Sequence, residues 1–434
     1  MAVPLDIAII GGGLAGLAAA VSLRQNCSPQ PRITIYESLD LGAERPSLSA
    51  QGNEYIHPTV GAGLALQENG VRVLRELDPR IGAAVQAGGQ PCRGFEFRTA
   101  GGWLLGRSRM EVVAVARSVL VDALRGALPS DMIRRAKVTR TDARPGERPR
   151  IWIEGEADAV VFDMVVGADG VRSATRKALF GDDPKFHAEY SGQCAVGGIY
   201  STASVPRSFA ANPHIVFTMG RTGSMGYCPL SASTPDRILW WSVYPTAVPP
   251  GRGKELEIKE LNRQIRMRHY NWGTPLLRRI LSDAQSDNAW PIFTMPSLPH
   301  WGRDGVLLIG DAAHAMAPRT GQGSSQALED AQTLGILVGE CLARDRASND
   351  DIVQSVIDGL YSIRNDRVRT IIARAERRKE STETLSVFQI SFLYTVIFIM
   401  TKLETFSWIF KFFRNADVWD ARTAVLEYLK RANY

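Results

Sequence analysis

Acids placed beside glycine-rich turns recur in this chain, and they are the side chains with the most evident chemistry. The longest such stretch is Gly305-Val306-Leu307-Leu308-Ile309-Gly310-Asp311-Ala312-Ala313-His314-Ala315-Met316-Ala317-Pro318-Arg319-Thr320-Gly321-Gln322-Gly323, which runs into the helical Ser324-Ser325-Gln326-Ala327-Leu328-Glu329-Asp330-Ala331-Gln332. An apolar run ends in a Gly-Asp pair, and a Gly-rich turn then opens into a helix. That order aims one carboxylate and a set of backbone amides at a bound anionic cofactor. A second acid, Asp169, stands in Gly167-Ala168-Asp169-Gly170-Val171-Arg172-Ser173-Ala174-Thr175-Arg176, again strand, tight turn and helix. Taken alone, Asp169 could simply cap that helix through the amides beside it.

The third glycine cluster lies at the N-terminus, where strand-like Leu5-Asp6-Ile7-Ala8-Ile9-Ile10 precedes Gly11-Gly12-Gly13-Leu14-Ala15-Gly16 and a helical apolar run. Gly11 suits the tight turn, Gly13 the approach of backbone to a pyrophosphate, and Gly16 the close packing of helix on strand. A second strand, Arg32 to Tyr36, ends at Glu37, where an acid accepts ribose hydroxyls. Strand, helix and acid in this order indicate dinucleotide binding with contacts at Gly11, Gly13, Ala15, Gly16 and Glu37. Glu37 fits the free ribose hydroxyls of NAD or FAD and would repel the extra phosphate of NADP.

The elements that must position these turns can be followed along the chain. Gly61-Ala62-Gly63 precedes a helix expected over Leu64 to Leu77, and a helix beginning near Arg117 carries Leu120, Leu124 and Leu128 on one face. Arg117 at that helix start is a candidate cation for a diphosphate. Strands are expected at Ile133 to Val138, Ile151 to Glu154 and Ala159 to Val166. From Tyr190 to Tyr244 four β-type runs, Cys194 to Tyr200, His214 to Met219, Gly226 to Leu230 and Ile238 to Tyr244, read as a separate antiparallel sheet. Its aromatic and sulfur content (Tyr200, Phe217, Met219, Met225, Tyr227, Trp240, Trp241, Tyr244) suits an apolar pocket, although most of these residues would serve as core.

A net charge of +6 comes from arginines scattered along 434 residues, which fits a solvated surface and anionic cofactors and gives no nucleic-acid motif. Five cysteines without paired spacing (Cys27, Cys92, Cys194, Cys228, Cys341) indicate neither a disulfide framework nor a zinc site, and so a reducing compartment. The N-terminus reads as a first strand, not a signal peptide, so the expected location is cytoplasmic. Residues 384–401 hold no charge and are strongly apolar, near the lower length of a membrane span. A helix packed on protein is the plainer reading. Peripheral membrane contact through residues 388–413, with Lys402, Trp408, Lys411 and Arg414 at the polar boundary, is the alternative.

Together the three motifs resemble the FAD-dependent aromatic monooxygenases of the p-hydroxybenzoate and salicylate hydroxylase type, over most of residues 5–345. The resemblance implies an α/β fold: a Rossmann-type FAD-binding domain (1–183 and 288–345), an inserted antiparallel β-sheet substrate domain (184–287) and a helical C-terminal region (346–434). It also implies that Asp311 bonds the ribityl chain of FAD, that Arg117 contacts the cofactor, and that Asp169 serves FAD and a visiting NADPH or NADH. The Gly63 turn would lie beside the flavin. The helix start at Gly321, Gln322, Gly323 and Ser324 would place amides and a positive dipole end near the reduced ring. A closed apolar site would then protect a flavin hydroperoxide formed from O2 until it hydroxylates, or less readily epoxidises, an apolar aromatic or polycyclic substrate.

Two features depart from the pattern. Many relatives carry an Arg on the first strand of the substrate sheet, where this chain reads Ala195-Val196-Gly197-Gly198-Ile199. Tyr227 falls where some fungal relatives place a functional tyrosine and is the candidate catalytic side chain. A flavin halogenase would be expected to carry Trp-x-Trp-x-Ile-Pro and a catalytic Lys, unlike Leu239-Trp240-Trp241-Ser242. An oxygen-independent FAD reductase or binding protein, tethered by its C-terminal helix, is the other alternative.

Overall fold

The computed structural model describes residues 4–39, 63–201, 209, 211–234, 236–250, 258–283, 286, 289–344, 348–376, 385–403 and 419–432. Gly61, Ala62 and residues 404–413 of the apolar C-terminal segment lie outside them.

The buried apolar runs build a sheet of β1 (Asp6–Ile10), β2 (Arg32–Glu37), β6 (Ile133–Arg135), β10 (Met164–Gly167), β16 (Gly302–Arg303) and β17 (Val306–Leu308). Its order is β16-β17-β10-β1-β2-β6, and every pair is parallel except β16 with β17. β10 and most of β1 are buried, as strands covered on both faces must be. Register then does the decisive work. Ile10 stands beside both Tyr36 and Gly167, and Gly167 beside Leu308, so three chain segments leave the sheet at one edge. Gly11 N–H donates to the Tyr36 carbonyl (2.9 Å), Ala168 N–H to Ile10 (2.8 Å) and Ile309 N–H to Gly167 (3.0 Å). All three glycine-rich motifs therefore meet at the carboxyl ends of parallel strands, the edge at which open α/β sheets bind ligands.

Two helices fix the spacing of the first and third motifs. The Leu14–Asn26 helix packs along the Gly323–Leu342 helix, and two glycines of the latter allow the approach. A Cβ at Gly335 would drive into Ser22, and one at Gly339 into the Asn26 carbonyl.

The second sheet holds β15 (Ala289–Thr294), β11 (Glu189–Ser201), β14 (Arg237–Pro245), β13 (Gly223–Pro229), β12 (Ile215–Gly220), β4 (Gln90–Thr99), β5 (Leu104–Ala116) and β3 (Gly63–Gln67), in that spatial order. Only β12 and β4 pair in parallel. The four expected runs are β11 to β14. The sheet also draws β3, β4 and β5 from residues 63–116, and β15 from beyond 288, spans expected to belong to the cofactor domain. Leu64 to Gln67 is a strand, not the start of a helix, because it pairs with Val112 to Val115 along the edge of β5; the helix begins at Glu68. A short apolar run is ambiguous on its own, and the available edge decided it.

A small sheet joins β7 (Val138–Asp142), β8 (Arg150–Ile153) and β9 (Val160–Val161). The strand expected over 159–166 is divided between β9 and β10. At the break the Asp163 carboxylate accepts the Asp6 N–H (2.7 Å), tying the chain to β1.

The two faces of the eight-stranded sheet have different neighbours. Val196, Met225, Tyr227, Ile238, Trp240 and Tyr244 pack with the helices Ile258–Arg268 and Pro275–Asp283. Alternate positions, including Ile199, Cys228, Leu239, Phe95, Phe217, Trp241 and Trp290, form the other face. The C-terminal region is helical over Asn349–Glu376, Val387–Leu403 and Ala421–Arg431.

Overpacking the glycine seam should be costly. Gly335→Val is expected to lower unfolding stability by about 1–3 kcal/mol, measured by urea denaturation, whereas Gly126→Ala, where a Cβ meets open space, should not.

Candidate active site

At the first motif each glycine has a visible reason. A Cβ at Gly16 would strike the Gly11 carbonyl, and one at Gly11 the Ala168 carbonyl, while Gly13 faces open space. The loop can thus present its backbone to a pyrophosphate without a side chain intervening. Glu37 closes the loop from below: its Oε2 accepts Gly12 N–H (2.7 Å) and its Oε1 accepts Leu39 N–H (2.8 Å). Ala15 is buried, and Gly310 comes so near that a Cβ there would lie 3.1 Å from the Ala15 methyl.

The second motif contains the cap that its sequence allows. Asp169 Oδ2 accepts the Thr175 N–H (2.9 Å) and hydroxyl (3.0 Å), at the start of the Thr175–Phe180 helix. Its Oδ1 is buried with no partner among the described residues. One oxygen therefore holds the turn while the other keeps its capacity to accept a hydrogen bond. Arg176 joins this turn to the third motif, donating to the carbonyls of Ala312 (3.0 Å), Val171 (2.9 Å) and Phe186 (3.1 Å). Burial depresses its pKa, and the Asp169 carboxylate opposes that shift.

At the third motif Asp311 projects exposed from the start of the short Asp311–His314 helix, after Gly310 with φ of 59°. Arg117 comes within its electrostatic reach. Burial depresses the Arg117 pKa and the Asp311 carboxylate opposes the effect. Arg117 follows Ala116, which pairs with Gly63, so the edge of the eight-stranded sheet and the acid of the parallel sheet come together. Gly63 in turn lies 3.0 Å or more from Leu239 and Leu230 at the position of a Cβ. Gly321 is left-handed (φ 61°), and the long helix starts at Gly323, with Gln322 as its N-cap and Ser324 in its first turn.

A buried polar network holds that turn. Gln67 Nε2 donates to the Gly321 carbonyl (3.3 Å), and Gln322 Nε2 to Gln67 Oε1. Asn69 Nδ2 donates to Gln322 Oε1 (2.9 Å) and Glu329 Oε1 (2.7 Å). Arg364, fully buried, donates to Asp330 Oδ1 (2.8 Å), Glu329 Oε2 (2.6 Å) and Gln326 Oε1 (2.6 Å). Asp330 Oδ2 accepts the Gly310 N–H (2.9 Å) and pairs with His314 Nε2 (2.6 Å). His314 thus has a structural place, also packing on Trp301 with ring centroids 4.9 Å apart. Asn69, Glu329, Asp330 and Arg364 were not among the expected site residues. The signal for Glu329 and Asp330 was an adjacent acid pair in a helical run whose other residues before Glu340 are uncharged.

On the eight-stranded sheet, the face away from the Ile258–Arg268 and Pro275–Asp283 helices carries a row of half-buried aromatic rings. Phe95 and Phe97 flank Phe217 at 5.7 and 6.0 Å, and Phe217 meets Trp241 edge-on at 5.5 Å. The cross-strand partners of Trp241 are Gly226 and Gly197, and a Cβ at Gly226 would enter the indole ring. The expected aromatic set is divided by alternation: Phe217, Met219 and Trp241 face this side, and Tyr200, Met225, Tyr227, Trp240 and Tyr244 the helix-covered side.

Tyr227 therefore does not reach the aromatic row. It is buried against Phe209 at 5.6 Å and bonded to the Thr274 hydroxyl (3.3 Å), and burial pushes its phenol pKa up. Its packing gives it a structural part, because a one-residue step along a strand moves a side chain to the opposite face.

A family model described as "FAD binding domain" matches residues 119–352. A 3-amino-4-hydroxybenzoate 2-monooxygenase of Streptomyces cremeus is 30% identical over 395 residues, covering 87% of either chain. This chain belongs to the FAD-dependent aromatic monooxygenases. A salicylate hydroxylase of Pseudomonas putida is 27% identical over 77% of either chain. The fold of this flavoprotein monooxygenase matches Klebsiella pneumoniae HpxO complexed with FAD and uric acid, with a TM-score of 0.74, 20% identity and coverage of 95% of this chain and 96% of that one. It also matches a salicylate hydroxylase substrate complex, at 0.73, 20% identity and 98% of both chains. FAD is the monooxygenase's cofactor, and the open Gly13, the unpartnered Asp169 oxygen and the Arg117 cation beside Asp311 are compatible with it.

Two outcomes follow from this geometry. Burial alone would raise the Asp330 pKa, but His314 and Arg364 outweigh it and hold the carboxyl at about 2. Because the folded value lies below the unfolded one near 4, the contribution is present above pH 4 and is lost as pH falls towards 2. Acid titration of stability should show a fall on the order of 2 kcal/mol in that window, which Asp330→Asn removes. Tyr227→Phe should cost about 1 kcal/mol of stability while turnover stays within about twofold of wild type.

Proposed function

We propose that this monooxygenase uses NADPH or NADH and O2 to insert one oxygen atom into an uncharged, apolar aromatic or polycyclic molecule. Hydroxylation is the leading outcome and epoxidation the second. One observation carries the substrate class. The positions flanking the Phe95, Phe97, Phe217 and Trp241 row on its face are Ala195, Gly197, Met219, Gly226, Val243 and Trp290, none of them charged. A benzoate substrate, as in the name of the Streptomyces relative, would need a cation to offset its desolvation. Ala195 to Ile199 supplies none.

FAD, when bound, would relay the two electrons of NADPH or NADH to O2 and so supply its activation. The chain's own residues would hold and surround it. The Gly11, Gly13, Ala15 and Gly16 loop would receive the diphosphate on backbone amides, and Glu37 the ribose hydroxyls. Asp311 and Arg117 would hold the ribityl chain and the neighbouring cofactor charge, and Asp169 would accept a hydrogen bond at its open Oδ1. Gly63 would leave room beside the ring. The amides and positive helix end at Gly321, Gln322, Gly323 and Ser324 would stabilise negative charge on the reduced cofactor. The aromatic row would stack the substrate and keep water from the reacting carbon.

The test is a screen of neutral aromatic and polycyclic compounds, followed by NAD(P)H oxidation and by product mass, since oxidation alone would also release peroxide. A product heavier by one oxygen atom is expected, and a carboxylated substrate preferred over every neutral one would overturn the reading. Asp311→Ala should lose the yellow chromophore and NAD(P)H oxidation together. Trp241→Ala should keep the chromophore but raise KM about tenfold, the loss of one well-placed stacking surface.

A further inference from the structure

We propose that the outer face of the Val387–Leu403 helix and the adjoining hairpin tips form a docking surface for an anionic lipid bilayer. The helix is apolar on two opposite sides. On the inner side Ile390 is buried, the Tyr394 hydroxyl donates to the Met219 carbonyl (2.7 Å) and accepts Ala100 N–H (3.2 Å), and Thr401 packs against Gly106. These contacts fix its orientation against the ends of β4, β5 and β12. On the outer side Phe388, Phe392, Val396 and Ile399 follow a four, four and three residue spacing, one stripe of a helix, at 87%, 72%, 38% and 48% exposure.

The stripe is not isolated. Trp103, 80% exposed, stands at the β4–β5 tip, and Tyr270, 77% exposed, lies in a loop joined to it where Gly273 N–H donates to the Ala100 carbonyl (2.7 Å). Most of the large apolar side chains left exposed among the described residues gather here, far beyond a scattering of single surface residues. Charge selects the occupant. Arg221 and Lys402 are exposed around the stripe, and residues 97–106, 219–225 and 385–403 contain no carboxylate. The nearby Glu96 is buried beneath Arg98 and Arg107. A two-fold contact with a second copy would set this cationic face against itself, whereas anionic headgroups complement it and Trp and Tyr suit the headgroup level.

No helix among the described residues is long and apolar enough to cross a membrane. With its inner side bonded into the sheet, this one would lie in the interface plane. The placement also has a consequence for the substrate, which rests on the apolar reading above. Gly106, under Thr401, pairs with Phe97, and Met219, bonded by Tyr394, continues the Phe217 face. A bilayer at this surface would adjoin the outer end of the aromatic row.

The test uses the full-length FAD-loaded protein without substrate, so its result is independent of turnover. Sedimentation with phosphatidylcholine vesicles, with or without about a third phosphatidylserine, should show binding that favours the anionic vesicles and falls several-fold at high salt. Phe388→Ser with Phe392→Ser should weaken binding about tenfold or more, and Arg221→Glu with Lys402→Glu should abolish the preference for anionic lipid. Unchanged circular dichroism and flavin absorbance would show that both variants fold. The proposal is overturned if wild type binds neither vesicle, if the phenylalanine pair makes no difference, or if light scattering finds a dimer that the pair dissolves while vesicles bind nothing.

Discussion

The Arg364 guanidinium lies wholly inside the protein between two adjacent carboxylates of the Gly323–Leu342 helix, and the cofactor edge is built around that contact. Glu329 and Asp330 would be costly to bury alone. Paired with Arg364, and further bonded to Asn69, Arg367, His314 and the Gly310 amide, they have the partners that make such burial sustainable. Removing one member would leave an uncompensated buried charge, worth about 3–5 kcal/mol. The network's value is its position. Asp330 holds the amide immediately before Asp311, and Glu329 connects through Asn69 to Gln322 in the turn that opens the helix. Two elements that face the cofactor edge are thereby held from behind by one set of hydrogen bonds.

The same edge depends on backbone close approach as well as charge. Gly335 and Gly339 let the helix behind the third motif lie directly on the helix behind the first, while the parallel register brings the three turns level. Arg176 adds a side-chain link between the second and third motifs. Distant stretches of sequence become one site because strand register, helix seam and buried polar network all specify the same relative placement.

The eight-stranded sheet obeys a different rule. Its side chains are divided by strand alternation, and the Ile258–Arg268 and Pro275–Asp283 helices cover one face. Glu96, Arg98, Tyr227, Trp240 and the Ser242–His269 pair, with Nε2 2.6 Å from the hydroxyl, lie towards the covered side; the uncharged aromatic row lies on the other. Two glycines beside Trp241 let its indole lie across the sheet. Among the described residues the aromatic face carries no ion pair, which follows from this partition and agrees with the absence of an Arg between Ala195 and Ile199.

From sequence alone, the glycine motifs, Glu37 and the Gly-Asp pair pointed to a dinucleotide cofactor, and their order identified the family, because each depends on local backbone requirements that few residues satisfy. The four β-runs after Tyr190 were legible through their composition and the turns between them. Which aromatic residue faces the site was not legible, since a shift of one position inverts the answer and register is set by partner strands distant in sequence. For the same reason Leu64 to Gln67 became a strand only when β5 offered an edge. Arg364 and Asn69 carried no local signal, because a buried ion pair is defined by what surrounds it in space. Asp311 could be named from its turn, but only the tertiary structure brought Arg117 before it and set Asp330 behind it.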